Sequence, residues 1–214
     1  MAQTYDVIIV GAGPAGIFAA LELVEQSPDT RVLLVDSGPE IDRRACPARK
    51  SGKCVHCDPC SILHGWSGAG AFSDGKLSLS PEVGGRILDY MSQERAKGLI
   101  RYCDEKYLRF GAPTEVHGLD DRKVEEIAYE ASRNKIHLVR CPVRHLGTEH
   151  AFDVLRAMYE FLKRQPGFTF LPMTSAQELL REGEKVVGLT LDVYKRQRSS
   201  CARAWPRRGW DWPL

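Results

Sequence analysis

The chain has 214 residues, 43% hydrophobic and 27% charged, with a formal net charge of +2. That length holds one large domain, or one domain and part of another, and the composition supports a buried core beneath a solvated surface. Seven cysteines, an odd number, with no basic-then-apolar leader and with the most apolar segment, Val7 to Val24, broken by Gly and Pro, argue against a secreted disulfide scaffold, a signal peptide and a membrane span; a cytoplasmic location is the expectation.

Tyr5 to Ala20 reads YDVIIVGAGPAGIFAA. Val7 to Val10 suits a parallel strand buried on both faces. Gly11-Ala12-Gly13-Pro14-Ala15-Gly16 is a G-x-G-x-x-G turn leading into a helix over roughly Ala15 to Gln26. Gly11 permits the tight turn, Gly13 lets a pyrophosphate approach the backbone, and Gly16 lets the helix pack close to the strand. Pro14 has its φ fixed for a first helical turn, and the free N–H groups of that helix end favour a diphosphate. Ser27-Pro28-Asp29 stops the helix. Arg31 to Asp36 reads as a second buried strand ending in a carboxylate. An acid about 20 residues beyond the last glycine is where a β-α-β unit binds the adenosine ribose hydroxyls. It also disfavours a 2′-phosphate by charge repulsion. The expected cofactor contacts are therefore Gly11, Gly13, Ala15 and Gly16 for the pyrophosphate and Asp36 for the ribose, with Pro14 and Ser37 also in the cofactor-binding set. A β-α-β unit without a nucleotide is the alternative.

Ser37 to Ser61 is loop-like, with Gly38, Pro39, Pro47, Gly52 and Pro59. It carries Cys46, Cys54, Cys57 and Cys60, and two consecutive C-x2-C steps bring thiolates within reach of one metal or cluster. Arg43, Arg44, Arg49, Lys50 and Lys53 would lower thiol pKa values. Three readings stand: a zinc or iron–sulfur site, a redox thiol pair serving a flavin, or cysteines with no joint role. His64 to Leu77 is rich in small residues, which lets the backbone press against a flat or charged ligand. Trp66 and Phe72 within it argue against a solvated linker.

GAGPAG, Asp36, Cys46-Pro47, the C-x2-C-x2-C run and GWSGAGAFSDGKL together resemble the uncharacterised FAD-dependent dehydrogenases of bacteria, in the NAD(P)/FAD-dependent oxidoreductase class. Gly11, Gly13, Gly16 and Ala20 match the flavoprotein form of the fingerprint. The resemblance covers Tyr5 to about Leu191. It implies FAD, with Ser67, Gly68, Ala69 and Gly70 in a second flavin-contacting loop. NAD(P)H is a candidate electron donor. The family's flavoproteins return to the first sheet with further strands, so the expected fold is an α/β, Rossmann-like FAD-binding domain with a parallel sheet, truncated, with a helical insertion. Lys76, just after the second loop, is a candidate for stabilising an anionic reduced ring.

Gln93 to Phe110 and Asp121 to Arg133 read as helices, the second with an apolar face of Val124, Ile127 and Ala128. Ile136 to Val139 reads as a short strand. His145 is a second candidate catalytic residue, since its unperturbed pKa lies near neutrality; a structural or surface role is the alternative. Ala151 to Gln165 is an amphipathic helix, Phe168 to Leu171 a third parallel strand, and Ala176–Leu180 with Val186–Leu191 a hairpin.

From Asp192 onward the text resembles translated adapter sequence. Val193 to Leu214 holds six Lys or Arg, one acid and three of the four tryptophans, and a non-native tail is expected over a nucleic-acid or membrane anchor. The expected organisation is a β-α-β unit with its Cys-rich loop over 1–80 and a mainly helical insertion over 81–150. A return helix, strand and hairpin follow over 151–191, and the tail over 192–214. The expected function is an FAD-dependent oxidoreductase accepting hydride or electrons from a small molecule or electron carrier. The alternative is a non-catalytic dinucleotide- or metal-binding regulatory module.

Overall fold

The first described strands are β1 (Gln3–Tyr5) and β2 (Val7–Val10); the computed structural model describes residues 3–193 and 200–204. Helix α1 (Pro14–Gln26) and strand β3 (Val32–Val35) complete a β-α-β unit, with β2 and β3 parallel and in register from Val7 opposite Val32 to Val10 opposite Val35. Short helix α2 (Ala48–Ser51) lies in the loop that follows. Next come β4 (Lys76–Ser78), α3 (Gln93–Arg109), α4 (Asp121–Arg133), β5 (Val143–His145) and α5 (Gly147–Lys163). The chain continues through β6 (Phe168–Leu171), β7 (Thr174–Glu182), β8 (Lys185–Val193) and β9 (Ser200–Ala204).

The chain divides into two compact units, residues 1–72 with 158–214, and residues 73–157. In the first, the parallel sheet runs in the order β2-β3-β6. β3 is flanked on both sides, and all four of its residues are buried. β2 is an edge strand among the described residues. Val10 is 59% exposed, which corrects the expectation of a strand buried on both faces: a strand paired on one side only keeps part of its surface open. Tyr5, Leu33, Val35, Leu189 and Leu191 form one core, with Ile8 and Leu171 against it, so hairpin β7-β8 packs on one face of the sheet. Leu34 alternates to the opposite face, and α1 packs on β2 and β3 through buried Ile17, Ala20, Leu21 and Val24.

Phe170 pairs with Leu34 across the sheet. Its ring meets Trp66 and Tyr159 edge-to-face, with centroids at 5.4 Å and 6.1 Å, and Trp66 meets Tyr159 at 5.0 Å. Tyr159 donates its hydroxyl to Glu40 at 2.7 Å. Burial, reinforced by that carboxylate, raises the Tyr159 pKa. Helix α5 explains the amphipathic pattern: Ala151, Val154, Leu155, Met158, Tyr159 and Leu162 are buried along one stripe. It begins four residues earlier than the sequence suggests, at Gly147, which has φ +72°.

The second unit holds α3 and α4, each with a side-chain N-cap. Ser92 accepts from the Arg95 N–H at 3.3 Å and Asp120 from the Lys123 N–H at 3.2 Å. The strand expected over Ile136–Val139 is irregular chain with Ile136 and Val139 exposed. The strand lies at β5 instead, because there the antiparallel backbone of β4 supplies the ladder partner. Ile127 of the expected α4 face is exposed. Most of the basic tail lies outside the described residues; Ser200–Ala204 pairs with β8 and β1.

Trp66 is fully buried. Replacing it with Ala opens a cavity between Tyr159 and Phe170, and the variant is expected to lose about 3–5 kcal/mol of stability, read as a lowered urea midpoint.

Candidate functional site

The glycine-rich turn has the geometry its sequence implies. Gly11 sits at φ +100°, where only glycine is unstrained, and its N–H donates to the Val35 carbonyl at 2.8 Å. A Cβ on Gly16 would overlap the Gly11 carbonyl oxygen and press on Ile9 at 3.3 Å, so glycine there is a condition of α1 packing on β2. Gly13 is the N-cap, with extended φ −71° and ψ 179° and no side-chain cap bond, and Pro14 opens the helix. A Cβ on Gly13 would meet nothing within 4 Å. The first turn of a 13-residue helix therefore presents N–H groups across open space, which is the geometry that receives a phosphate.

Asp36, at the carboxyl end of β3, holds more than the sequence predicts. Its Oδ2 accepts from the Ala12 N–H at 2.8 Å, and its Oδ1 accepts from Gly38 at 2.7 Å and Gly65 at 2.6 Å. A carboxylate has about four acceptor positions, so three are engaged by backbone. The ribose role expected of Asp36 rests on the remaining position. Ser37 is half-buried, its Oγ 2.6 Å from His64 Nδ1.

The second glycine-rich segment is brought onto the first. The Ser67 N–H donates to the Ala12 carbonyl at 2.7 Å, and Ser67 is buried with φ +67°. A Cβ on Gly68 would lie 3.5 Å from Gly13 Cα, and one on Gly70 would lie 3.9 Å from Pro14 Cγ. Side chains at these points would narrow the space before the helix end. Ala69 is exposed between them.

Arg44 fixes this loop, a role that sequence reasoning missed when it counted Arg44 only as a charge near thiols. One terminal nitrogen donates to the Trp66 and Gly68 carbonyls at 2.7 Å and 2.5 Å, the other to Ser61 and Ile62 at 2.9 Å and 2.7 Å. Its Nε is buried without a hydrogen-bond partner among the described residues. Burial lowers the Arg44 pKa from its ordinary value, against the opposing pull of Asp36 and Cys60. Arg44 and Arg49 each lie 4.8 Å from the centre of the Phe72 ring. Backbone carbonyls of a loop carry no sequence signature, so nothing in the residue spacing marks such a clamp.

The other candidates fall elsewhere. Cys54 is exposed, and Cys46, Cys57 and Cys60 are half-buried, all as free thiols. Among the described residues no three His, Cys, Asp or Glu side chains gather into a metal-holding group. Arg44 pins the chain at Ser61 and Ile62, while residues 51–56 run exposed over the surface and carry Cys54 with them. In the second unit, Lys76 and His145 face each other in register across the β4-β5 ladder, both exposed. Lys76 Nζ pairs with Asp74 at 2.7 Å, and that contact holds the Asp74 carboxyl below its usual range.

The lycopene cyclase protein family model matches residues 6–69, the stretch that contains both glycine-rich segments up to Ala69. An uncharacterized protein of Clostridium beijerinckii is 29% identical over 161 residues, which are 75% of this chain and 23% of that protein. The lycopene beta-cyclase of Pantoea ananas is 50% identical over 40 residues, 19% of this chain and 10% of that protein. This chain thus spans about a quarter, or less, of the length of the curated relatives it matches. Among solved structures, E. coli quinol fumarate reductase superposes with a TM-score of 0.59 at 12% identity, over 95% of this chain and 32% of that one. The 3-ketosteroid-delta4-(5alpha)-dehydrogenase of Rhodococcus jostii superposes with a TM-score of 0.52 at 15% identity, over 94% and 44%. The likeness establishes the Rossmann-like α/β fold.

Two outcomes follow from the geometry. Asp36→Ala strands three backbone N–H groups and is expected to lower stability by about 3 kcal/mol, seen in the thermal midpoint. Arg44→Met frees the carbonyls of Ser61, Ile62, Trp66 and Gly68, and amide hydrogen exchange is expected to accelerate in residues 61–70 while β3 stays protected; uniform acceleration would mean that Arg44 does not clamp the loop.

Proposed function

We propose that this chain carries the dinucleotide-binding part of an FAD-dependent oxidoreductase. The carrying observation is the open space at Gly13, before an uncapped helix end and walled by a second glycine-rich loop. The residues present fit the group. In this reading the N–H groups at Ala15 and Gly16 receive the pyrophosphate, and the free acceptor position of Asp36 receives a ribose hydroxyl. Gly68 and Gly70 keep the backbone of the second loop close to the cofactor.

Bound there, the flavin supplies hydride or electron acceptance, and the protein supplies binding and electrostatics. The solved structures that share the fold include, by name, a fumarate reductase and a steroid dehydrogenase, which supports oxidation–reduction of a small molecule as the reaction class. Arg44 contributes indirectly. Its four carbonyl contacts hold the second loop in place before any cofactor arrives, so less ordering is required on binding.

Gly13 allows a clean test, because its φ suits any residue and its Cβ position is empty. Gly13→Val is expected to keep the thermal midpoint within a few degrees while weakening FAD at least tenfold, measured by quenching of flavin fluorescence. Equal FAD affinity in the two proteins would refute the site.

A further inference from the structure

We propose that the second unit binds a small organic anion with an apolar body, in a cleft that uses Lys97, Arg101 and Ser80. The cleft has a volume of about 400 Å³, within the range of small-molecule sites. Helix α3 supplies Lys97, Ile100, Arg101 and Asp104, which recur at the spacing of one helix face. Leu79, Ser80, Pro81 and Pro142 form the facing wall, where the Leu79 N–H donates to the Pro142 carbonyl at 2.8 Å.

The charge balance of this cleft is positive, for a structural reason. The one acid among its described lining residues, Asp104, is held by both oxygens: Arg144 Nε donates to one at 2.6 Å and Nη2 to the other at 2.7 Å. Arg144 is buried, and its Nη1 donates to the Pro113 carbonyl at 2.7 Å. Asp104 is thereby neutralised from within. Lys97 and Arg101 make no ion pair among the described residues. Standing four residues apart on a helix, they repel each other, and an anion between them relieves that repulsion. Ser80 Oγ already accepts from the Glu82 N–H at 3.2 Å, which leaves its hydroxyl proton for a further acceptor.

Leu79, Ile100, Pro81 and Pro142 are apolar, so the cleft rewards a hydrocarbon portion as well as a charge. A carboxylate on a short alkyl chain satisfies both, and the planar guanidinium of Arg101 suits that group. The site is independent of the FAD reading, and a failed Gly13→Val test would leave it standing.

Octanoate and octanol are the probes, titrated calorimetrically into the 214-residue chain. Octanoate is expected to bind at least tenfold more tightly than octanol, and to weaken several-fold in 0.5 M salt, since the cations are exposed. The double variant Lys97→Gln with Arg101→Gln is expected to weaken octanoate at least tenfold. Arg122→Gln with Lys123→Gln removes the same charge from α4 and is expected to leave it within twofold. Absence of octanoate binding, equal binding of octanol, or equal losses in the two double variants would each overturn the proposal.

Discussion

One carboxylate at the end of β3 ties together the turn, the loop after β3 and the second glycine-rich segment. Asp36 accepts N–H groups from Ala12, Gly38 and Gly65, which are separated from it by 24, 2 and 29 residues. Charge-assisted bonds of this kind are stronger than neutral ones, and each backbone donor that lost its partner would carry a desolvation cost. The placement has a topological basis. Parallel strands point their carboxyl ends to one edge of the sheet, and ligand crevices of open α/β folds lie outside that edge.

Close backbone approach is the second constraint, and glycine makes it attainable. Gly16 against Gly11, and Gly38 against His64 and Gly65, leave no room for a Cβ. Gly13 differs, because nothing crowds it. Crowded glycines serve the packing, and Gly13 leaves open space before the first turn of α1. Arg44 complements them by gathering four carbonyls that the loop itself cannot pair.

The second unit has its own polar anchor. Arg144 grips Asp104 with two parallel bonds and satisfies the Pro113 carbonyl with another nitrogen. A buried ion pair is weak evidence for stability, since desolvation offsets much of its attraction. Its consequence is local: it connects β5 to α3 and removes the negative charge that would otherwise balance Lys97 and Arg101.

The β-α-β unit was legible in the sequence because its determinants are local. The apolar run at Val7–Val10, the GAGPAG turn, Pro14 at the helix start and the acid after Val35 each act within a few residues, and the structure assembles them as their chemistry directs. The caps at Ser92 and Asp120 are local in the same way. Other features depended on which segments meet. The strand at Val143–His145 exists because β4 pairs with it, and Ile136–Val139, more apolar, finds no partner among the described residues. Of the four cysteines that share a spacing, Cys54 is exposed while Cys46, Cys57 and Cys60 are half-buried. By itself the sequence determined the glycine turn and the fold class, through backbone conformations that only certain residues adopt. The tertiary structure alone decided that Asp36 and Arg44 would bind backbone, because donors and carbonyls 17 to 29 residues away bear no mark in the sequence until folding brings them together.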